Sequence, residues 1–110
     1  MRSPPIKTVS VSELCRLLQQ PTPPLLLDVR EPDEWQFCRI AGAVHLPMSQ
    51  LAQRLGELDP TRPTVVCCHH GVRSRRVAEI LLANGFTNVA NLSGGIDAWA
   101  VQIDPRVPRY

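Results

Sequence analysis

Short apolar runs alternate with amphipathic stretches along this chain of 110 residues. The apolar runs predict five β-strands, at residues 6–9, 25–29, 43–46, 64–67 and 88–92. The runs at 25–29 and 64–67 are apolar at almost every position, which is typical of strands buried on both faces of a parallel sheet. We therefore expect the sheet to lie between two layers of helices.

The stretches between the runs carry helix signals. Ser10 is followed three residues later by Glu13, the pattern of a capping box. Pro32 precedes acidic residues, as at a helix N-terminus, and we expect this helix to direct Trp35 and Phe37 toward the core. The other predicted helices are residues 49–58, residues 74–84 ahead of Gly85, and a short helix opened by Gly94 and Gly95.

Strands and helices alternate about five times, and this order predicts the fold class. We expect an α/β protein, a three-layer α/β/α domain around a central, mainly parallel sheet of about five strands. The length fits one domain over residues 1–110. We place its core at about residues 6–103 and expect an irregular tail at residues 104–110, where prolines and arginines recur.

Composition and charge narrow the functional classes. A net charge of +2 and few aromatic side chains argue against nucleic acid as a partner. No apolar run approaches the ~20 residues of a membrane span, and the first residues lack the apolar segment of a secretion signal. Of the four cysteines, Cys67 and Cys68 are adjacent, which suits a reduced chain better than two disulfides. We therefore predict a cytoplasmic protein that binds neither nucleic acid nor membranes.

The segment at residues 65–74 carries the strongest functional signal. An apolar strand ends in a cysteine pair, a short loop with Gly71 follows, and Arg73 and Ser74 lead into a helix. Backbone N–H groups in such a loop converge and can hold an anion. The neighbouring arginine favours the thiolate form of a cysteine in the loop. A thiolate in an anion-binding loop indicates attack on an anionic, electrophilic substrate.

Four stretches of the chain resemble single-domain rhodaneses, the thiosulfate-type sulfurtransferases. They are Leu-Leu-Asp-Val-Arg-Glu at 26–31, Ile-Ala-Gly-Ala-Val-His-Leu-Pro at 40–47, the segment at 65–74, and Gly-Phe-Thr-Asn-Val at 85–89 running on to residues 92–99. They occur in the order of the family and span nearly the whole chain. The active loop of that family reads Cys-x-x-Gly-x-Arg-Ser, which places the nucleophile at Cys68.

The resemblance implies a two-step transfer of sulfane sulfur. Cys68 takes sulfur from a small anionic donor such as thiosulfate and becomes a persulfide. Cyanide or a thiol then removes that sulfur, and a thioredoxin-like or sulfur-carrier protein is one form that a thiol acceptor takes. This is covalent catalysis without any cofactor or metal.

The resemblance also implies roles for the residues around the nucleophile. The loop positions that would bind the donor and the persulfide are His69, His70, Gly71, Val72 and Arg73. The residues that would support the loop are Ser74, Asp28 and Arg30. From the residues alone, pairing of Asp28 with Arg30 in a structural role is the interpretation we favour.

Several features of this segment admit simpler or rival interpretations. Strand alternation should direct Cys67 away from the loop and into the core. His69 and His70 beside two cysteines suggest a metal, but four contiguous ligands cannot wrap one tetrahedral ion, so we predict none. Arg39 stands where the family often has histidine, so no role is carried over from that histidine.

Two alternative functions remain open at this point. A cysteine-dependent phosphatase of the same fold has the loop Cys-x5-Arg, and counting from Cys67 to Arg73 gives those five intervening residues, whereas counting from Cys68 gives four. A persulfide-relay or binding module without activity on free thiosulfate is the other alternative. The presence of both Cys68 and Arg73 favours the sulfurtransferase.

Overall fold

The computed structural model describes residues 6–110 and shows a five-stranded sheet in which every pairing is parallel. The strands are β1 (Lys7–Val9), β2 (Leu25–Asp28), β3 (Val44–His45), β4 (Thr64–Cys67) and β5 (Val89–Leu92). Their order across the sheet is β1-β5-β4-β2-β3, so β4 is the central strand. The predicted α/β fold with a sheet of about five strands is confirmed.

Within residues 6–110, five α-helices connect or follow the strands: α1 (Val11–Leu18), α2 (Pro32–Phe37), α3 (Leu51–Arg54), α4 (Val72–Ala83) and α5 (Gly95–Gln102). The predicted capping box is present, because the Glu13 N–H donates to Ser10 Oγ at 3.1 Å. The helix predicted at 49–58 is broken into α3 and two flanking 3-10 turns, Met48–Gln50 and Leu55–Glu57. Gly56 in the second turn weakens the helix, since glycine costs about 1 kcal/mol relative to alanine in a helix interior.

Side-chain alternation along the central strand divides the core into two layers. On one face of the sheet, Val66 and Cys68 pack with residues of α3 and α4. On the other face, Val65 and Cys67 pack with residues of α1 and α5. Cys67 therefore lies in the core on the face opposite Cys68, as the alternation predicts.

The α2 region differs from expectation. The prediction that Phe37 points into the core is wrong, because 54% of this residue is exposed. No residue of the six-residue helix α2 is buried, and the helix contacts β3, the two-residue strand at the edge of the sheet. Trp35 is half-buried and stacks on His45 with ring centroids 4.7 Å apart. The helix contributes to the site through a polar residue, Glu34, as described below.

Among residues 6–110, no helix has the length and apolar character needed to cross a lipid bilayer. The expectation of no secretion signal rests partly on residues 1–5, which lie outside the described part of the chain.

Candidate active site

The loop after the central strand β4 lies at the carboxyl edge of the sheet, where ligands bind in open α/β folds. It runs from Cys68 to Gly71, and α4 begins at Val72. Gly71 has φ +105°, a left-handed conformation that favours glycine. A Cβ here would also lie 3.3 Å from the carbonyl oxygen of Leu92 at the end of β5. Both constraints explain why glycine occupies this turn.

The Cys68 sulfur is enclosed by the loop that follows it. The Gly71 N–H donates to Cys68 Sγ at 3.1 Å, and Ser74 Oγ lies 3.3 Å from the same sulfur. Only 1% of Cys68 is exposed. Amide and hydroxyl donors stabilise negative charge on a neighbouring acceptor, and here they are already in position. The geometry therefore suits a sulfur nucleophile that carries a negative charge.

A buried asparagine on β5 orients the hydroxyl beside this sulfur. Asn91 Nδ2 donates to the carbonyl of Gly71 at 3.0 Å, which leaves Asn91 Oδ1 to accept from Ser74 Oγ. The single hydroxyl hydrogen of Ser74 thus has two acceptors within reach, the amide oxygen and Cys68 Sγ. Rotation of this hydrogen toward Cys68 Sγ turns the Ser74 hydroxyl into a hydrogen-bond donor to the sulfur.

The N-terminus of α5 holds the other side of the loop. The Ile96 N–H donates to the Cys68 carbonyl at 2.9 Å, and the Asp97 N–H donates to the His69 carbonyl at 3.1 Å. Gly95 has φ +59°, and a Cβ on it would lie 2.4 Å from the Cys68 carbonyl oxygen. Only glycine allows α5 to approach the loop this closely.

The loop arginine is engaged in an ion pair. Arg73 Nη1 and Nη2 donate to the two carboxylate oxygens of Glu34 at 2.6 and 2.8 Å. Glu34 comes from α2, so this pair joins two elements that are remote in sequence. The hydrogen-bonded guanidinium lowers the pKa of Glu34 to about 2, which keeps the carboxylate ionised at neutral pH.

The C-terminal segment is irregular, as predicted, yet it packs against the loop. The Tyr110 ring stacks on the His69 ring with centroids 3.8 Å apart and an angle of 5°. The Tyr110 hydroxyl donates to Glu34 Oε2 at 2.7 Å. Arg109 Nε donates to Asp97 Oδ1 at 2.9 Å, which ties the segment to α5. Burial raises the pKa of Tyr110 to about 12, so the phenol keeps its proton.

Asp28 and Arg30 form a buried ion pair beneath this surface. Arg30 Nη2 donates to Asp28 Oδ2 at 2.7 Å, and neither side chain has more than 1% exposure. The same guanidinium donates to the Cys38 carbonyl at 2.6 Å and to the Tyr110 hydroxyl at 2.9 Å. The pair therefore fixes the end of α2 and reaches the C-terminal segment without contacting Cys68 directly.

The second cysteine is excluded from this chemistry by its position. Burial raises the pKa of Cys67 well above its ordinary value, with Asp28 nearby adding to the effect. Its side chain lies among the apolar residues of the opposite face. A phosphatase loop counted from Cys67 would need this thiol as its nucleophile, so the geometry disfavours that alternative.

Two histidines and an aspartate meet at the rim of the loop. The ligand atoms of His69, His70 and Asp97 lie within 4.8 Å of one another, a proximity that sequence spacing did not reveal. Asp97 is already paired with Arg109. The rings of His69 and His70 lie 3.8 Å apart between centroids and are tilted by 32°. The absence of a bound metal stays a prediction.

Of the predicted site residues, Gly71 and Ser74 contact the Cys68 sulfur, whereas Arg73 pairs with Glu34. Val72, the first residue of α4, is 79% exposed, so its side chain packs little against the protein. Arg39 lies away from the loop, with its guanidinium 4.4 Å from the centre of the Trp35 ring. Sequence reasoning missed four residues that shape the site: Glu34, Asn91, Gly95 and Tyr110. Asn91, a polar residue within a buried apolar strand, carried a usable signal.

Known proteins resemble this chain in sequence and in structure. The Rhodanese-like domain family model matches residues 10–102. The chain is 35% identical over 113 residues to the Rhodanese-like/PpiC domain-containing protein 12, chloroplastic, of Arabidopsis thaliana. The alignment includes 96% of this chain but only 38% of that protein. It is 34% identical over 93 residues to thiosulfate sulfurtransferase GlpE of Shewanella oneidensis, covering 84% of this chain and 91% of GlpE. The crystal structure of a rhodanese-like domain protein from Staphylococcus aureus superimposes with a TM-score of 0.83 at 30% identity, covering 96% of this chain and 99% of that one.

Proposed function

The chain belongs to the rhodanese-like domain family, and from this premise we propose that it is a sulfurtransferase with Cys68 as its nucleophile. The observation that carries the proposal is the environment of Cys68 Sγ, which has the Gly71 N–H at 3.1 Å and Ser74 Oγ at 3.3 Å. Relatives named thiosulfate sulfurtransferases align with much of the chain at 34% and 37% identity, which favours sulfur transfer over phosphoryl transfer.

In the first half-reaction, the Cys68 thiolate attacks the outer sulfur of an anionic donor such as thiosulfate. The S–S bond of the donor breaks, sulfite leaves with the electron pair, and Cys68 retains the sulfur as a persulfide. In the second half-reaction, cyanide or a thiolate attacks the terminal sulfur. The persulfide S–S bond then breaks, and the electron pair returns to Cys68 as a thiolate.

The protein groups have separate roles in this scheme. The Gly71 N–H and the Ser74 hydroxyl stabilise negative charge on the cysteine or persulfide sulfur. The backbone of His69, His70 and Val72 shapes the loop, and Arg73 lies beside it in its pair with Glu34. The acceptor is cyanide or a thiol, the latter on a small molecule or on a thioredoxin-like or sulfur-carrier protein. No step uses a metal or an organic cofactor.

Intact-protein mass spectrometry tests the proposal. Incubation with thiosulfate should add one sulfur atom to the wild-type protein, and cyanide should remove it. The Cys68→Ala variant should gain no sulfur, whereas the matched Cys67→Ala variant should behave like the wild type. The reverse pattern in the two variants would overturn the assignment of the nucleophile. Failure of the wild type to gain sulfur from thiosulfate would reject thiosulfate as the donor.

A further inference from the structure

The positive charge of Arg73, which was expected to attract an anionic donor, is already neutralised by the carboxylate of Glu34. Both terminal nitrogens of Arg73 are bound by the Glu34 carboxylate, at 2.6 and 2.8 Å. The side chains of this pair are largely shielded, with exposures of 35% for Arg73 and 16% for Glu34. A donor therefore meets a neutral ion pair at the loop, where an isolated guanidinium would offer a full positive charge.

Further contacts hold the Glu34 carboxylate in this position. The Glu31 N–H donates to Glu34 Oε1 at 3.1 Å, in the capping box of α2. The Tyr110 hydroxyl donates to Glu34 Oε2 at 2.7 Å and itself accepts from Arg30 Nη1 at 2.9 Å. Arg30 is in turn fixed by its buried pair with Asp28. The carboxylate is thus a built part of the site and not a mobile surface group.

We infer that Glu34 is a specificity-determining residue that disfavours dianionic sulfur donors relative to donors of lower charge, and that Tyr110 is a positioning residue for its carboxylate. This inference rests on the proposed sulfurtransferase function and refines its donor class. Its physical basis is Coulomb's law, since the repulsion from a fixed carboxylate grows in proportion to the charge on the donor. A persulfide or thiosulfonate with one negative charge is penalised half as much as thiosulfate with two.

Two donors of similar size but different charge distinguish an effect of donor charge from an effect of donor shape. Thiosulfate carries two negative charges and releases sulfite, and methanethiosulfonate carries one and releases methanesulfinate after the same attack on its outer sulfur. Glu34→Gln removes the charge and keeps the side-chain shape. We expect it to raise the rate of persulfide formation about tenfold with thiosulfate, equivalent to about 1.4 kcal/mol, and about threefold with methanethiosulfonate.

The experiment is single-turnover persulfide formation, followed by rapid quenching and intact mass measurement. Asp33→Asn is the matched control, because it removes an exposed carboxylate from the same helix. Its rates should stay within about twofold of the wild type. Three outcomes would each overturn the inference. They are an equal increase in the rate of persulfide formation with both donors in Glu34→Gln, no increase with thiosulfate in that variant, and an increase in Asp33→Asn as large as in Glu34→Gln.

Tyr110→Phe tests the positioning role. It removes the hydroxyl and keeps the ring that stacks on His69. We expect the rate of persulfide formation to rise about threefold with thiosulfate, less than in Glu34→Gln, and to rise still less with methanethiosulfonate. Unchanged selectivity between the donors would remove Tyr110 from the inference. If the persulfide forms but the variants change the rates with thiosulfate and methanethiosulfonate equally, this inference alone is rejected. If no Cys68 persulfide forms with either donor, the proposed function itself is rejected.

Discussion

The side-chain amide of Asn91 donates to the backbone carbonyl of Gly71 at 3.0 Å, so the last strand of the sheet holds the turn of the catalytic loop. Asn91 Oδ1 faces the hydroxyl of Ser74 at the same time. One buried amide therefore contacts both the residue whose N–H donates to Cys68 and the hydroxyl next to that sulfur.

Replacing this amide should damage both stability and activity. In Asn91→Ala, the Gly71 carbonyl and the Ser74 hydroxyl lose a buried partner, which costs about 1–3 kcal/mol of unfolding free energy. We also expect slower persulfide formation, because the loop amide is held less firmly. Urea unfolding and single-turnover rates measure the two effects. Asn88→Ala is the control, since Asn88 bonds only the exposed side chain of Lys7 among the side-chain contacts described, and an equal loss in both variants would contradict the prediction.

Gly95→Ala should be strongly destabilising. The added Cβ would lie 2.4 Å from the Cys68 carbonyl oxygen and 2.5 Å from that of His69, so α5 would have to move away from the loop. Gly85→Ala provides a comparison, because Gly85 also has a positive φ, +89°, but open space around its Cβ position. We expect Gly85→Ala to cost about 1–2 kcal/mol from backbone strain alone, and Gly95→Ala to cost clearly more in thermal or urea unfolding. Equal losses would show that α5 adjusts freely.

The pair between Glu34 and Arg73 should make stability depend on pH in the acidic range. Because the pKa of Glu34 is lowered to about 2 in the folded protein, from 4.5 as the ordinary value, the unfolded state binds its proton first as the pH falls. The stabilisation is therefore complete above about pH 4.5 and is lost as the pH falls toward 2. After allowance for solvent screening, we expect ~1–2 kcal/mol. The stability difference between wild type and Glu34→Gln, measured by urea unfolding, should shrink between pH 5 and pH 2.5, and a constant difference would exclude this origin.

Breaking the buried pair below the site should cost far more than breaking an exposed one. Arg30→Met leaves the Asp28 carboxylate buried without its partner, and such losses amount to about 3–5 kcal/mol. Arg54→Met removes a comparable contact, 3.0 Å from Glu57, at the surface. Exposed pairs contribute about 0–1 kcal/mol. Comparable midpoints of urea unfolding for the two variants would show that Arg30 is not needed for stability.

Much of the fold was predictable because the relevant information is local. The strand at Thr64–Cys67 was predicted with its observed bounds, since a short apolar run between turn signals has few other interpretations. The loop was predictable for the same reason, as its cysteine, glycine, arginine and serine are close in sequence. Phe37 was predicted wrongly because an aromatic residue on a short helix is buried only if that helix lies over the core.

The residues that sequence reasoning missed act over long separations. Glu34 meets Arg73 across 39 positions, and Tyr110 meets Glu34 across 76. No periodicity or motif reports such a contact, because Glu34 and Tyr110 look like ordinary surface residues in the sequence. A charged partner for Arg73 changes the donor expected at this site, so the missed contacts bear directly on specificity.

The order of strands also has a consequence for synthesis of the chain. Among the described residues, the first strand pairs only with β5, with Lys7 opposite Ala90. The central strand gains its second neighbour when β5 forms. Pairings between such distant segments form late and slowly. The sheet around β4 is therefore complete only after β5 has been synthesised, and α5 closes over the loop after that. Until then, the loop that holds Cys68 lacks both the Asn91 side chain and the N-terminus of α5, so its geometry depends on segments that are made after it.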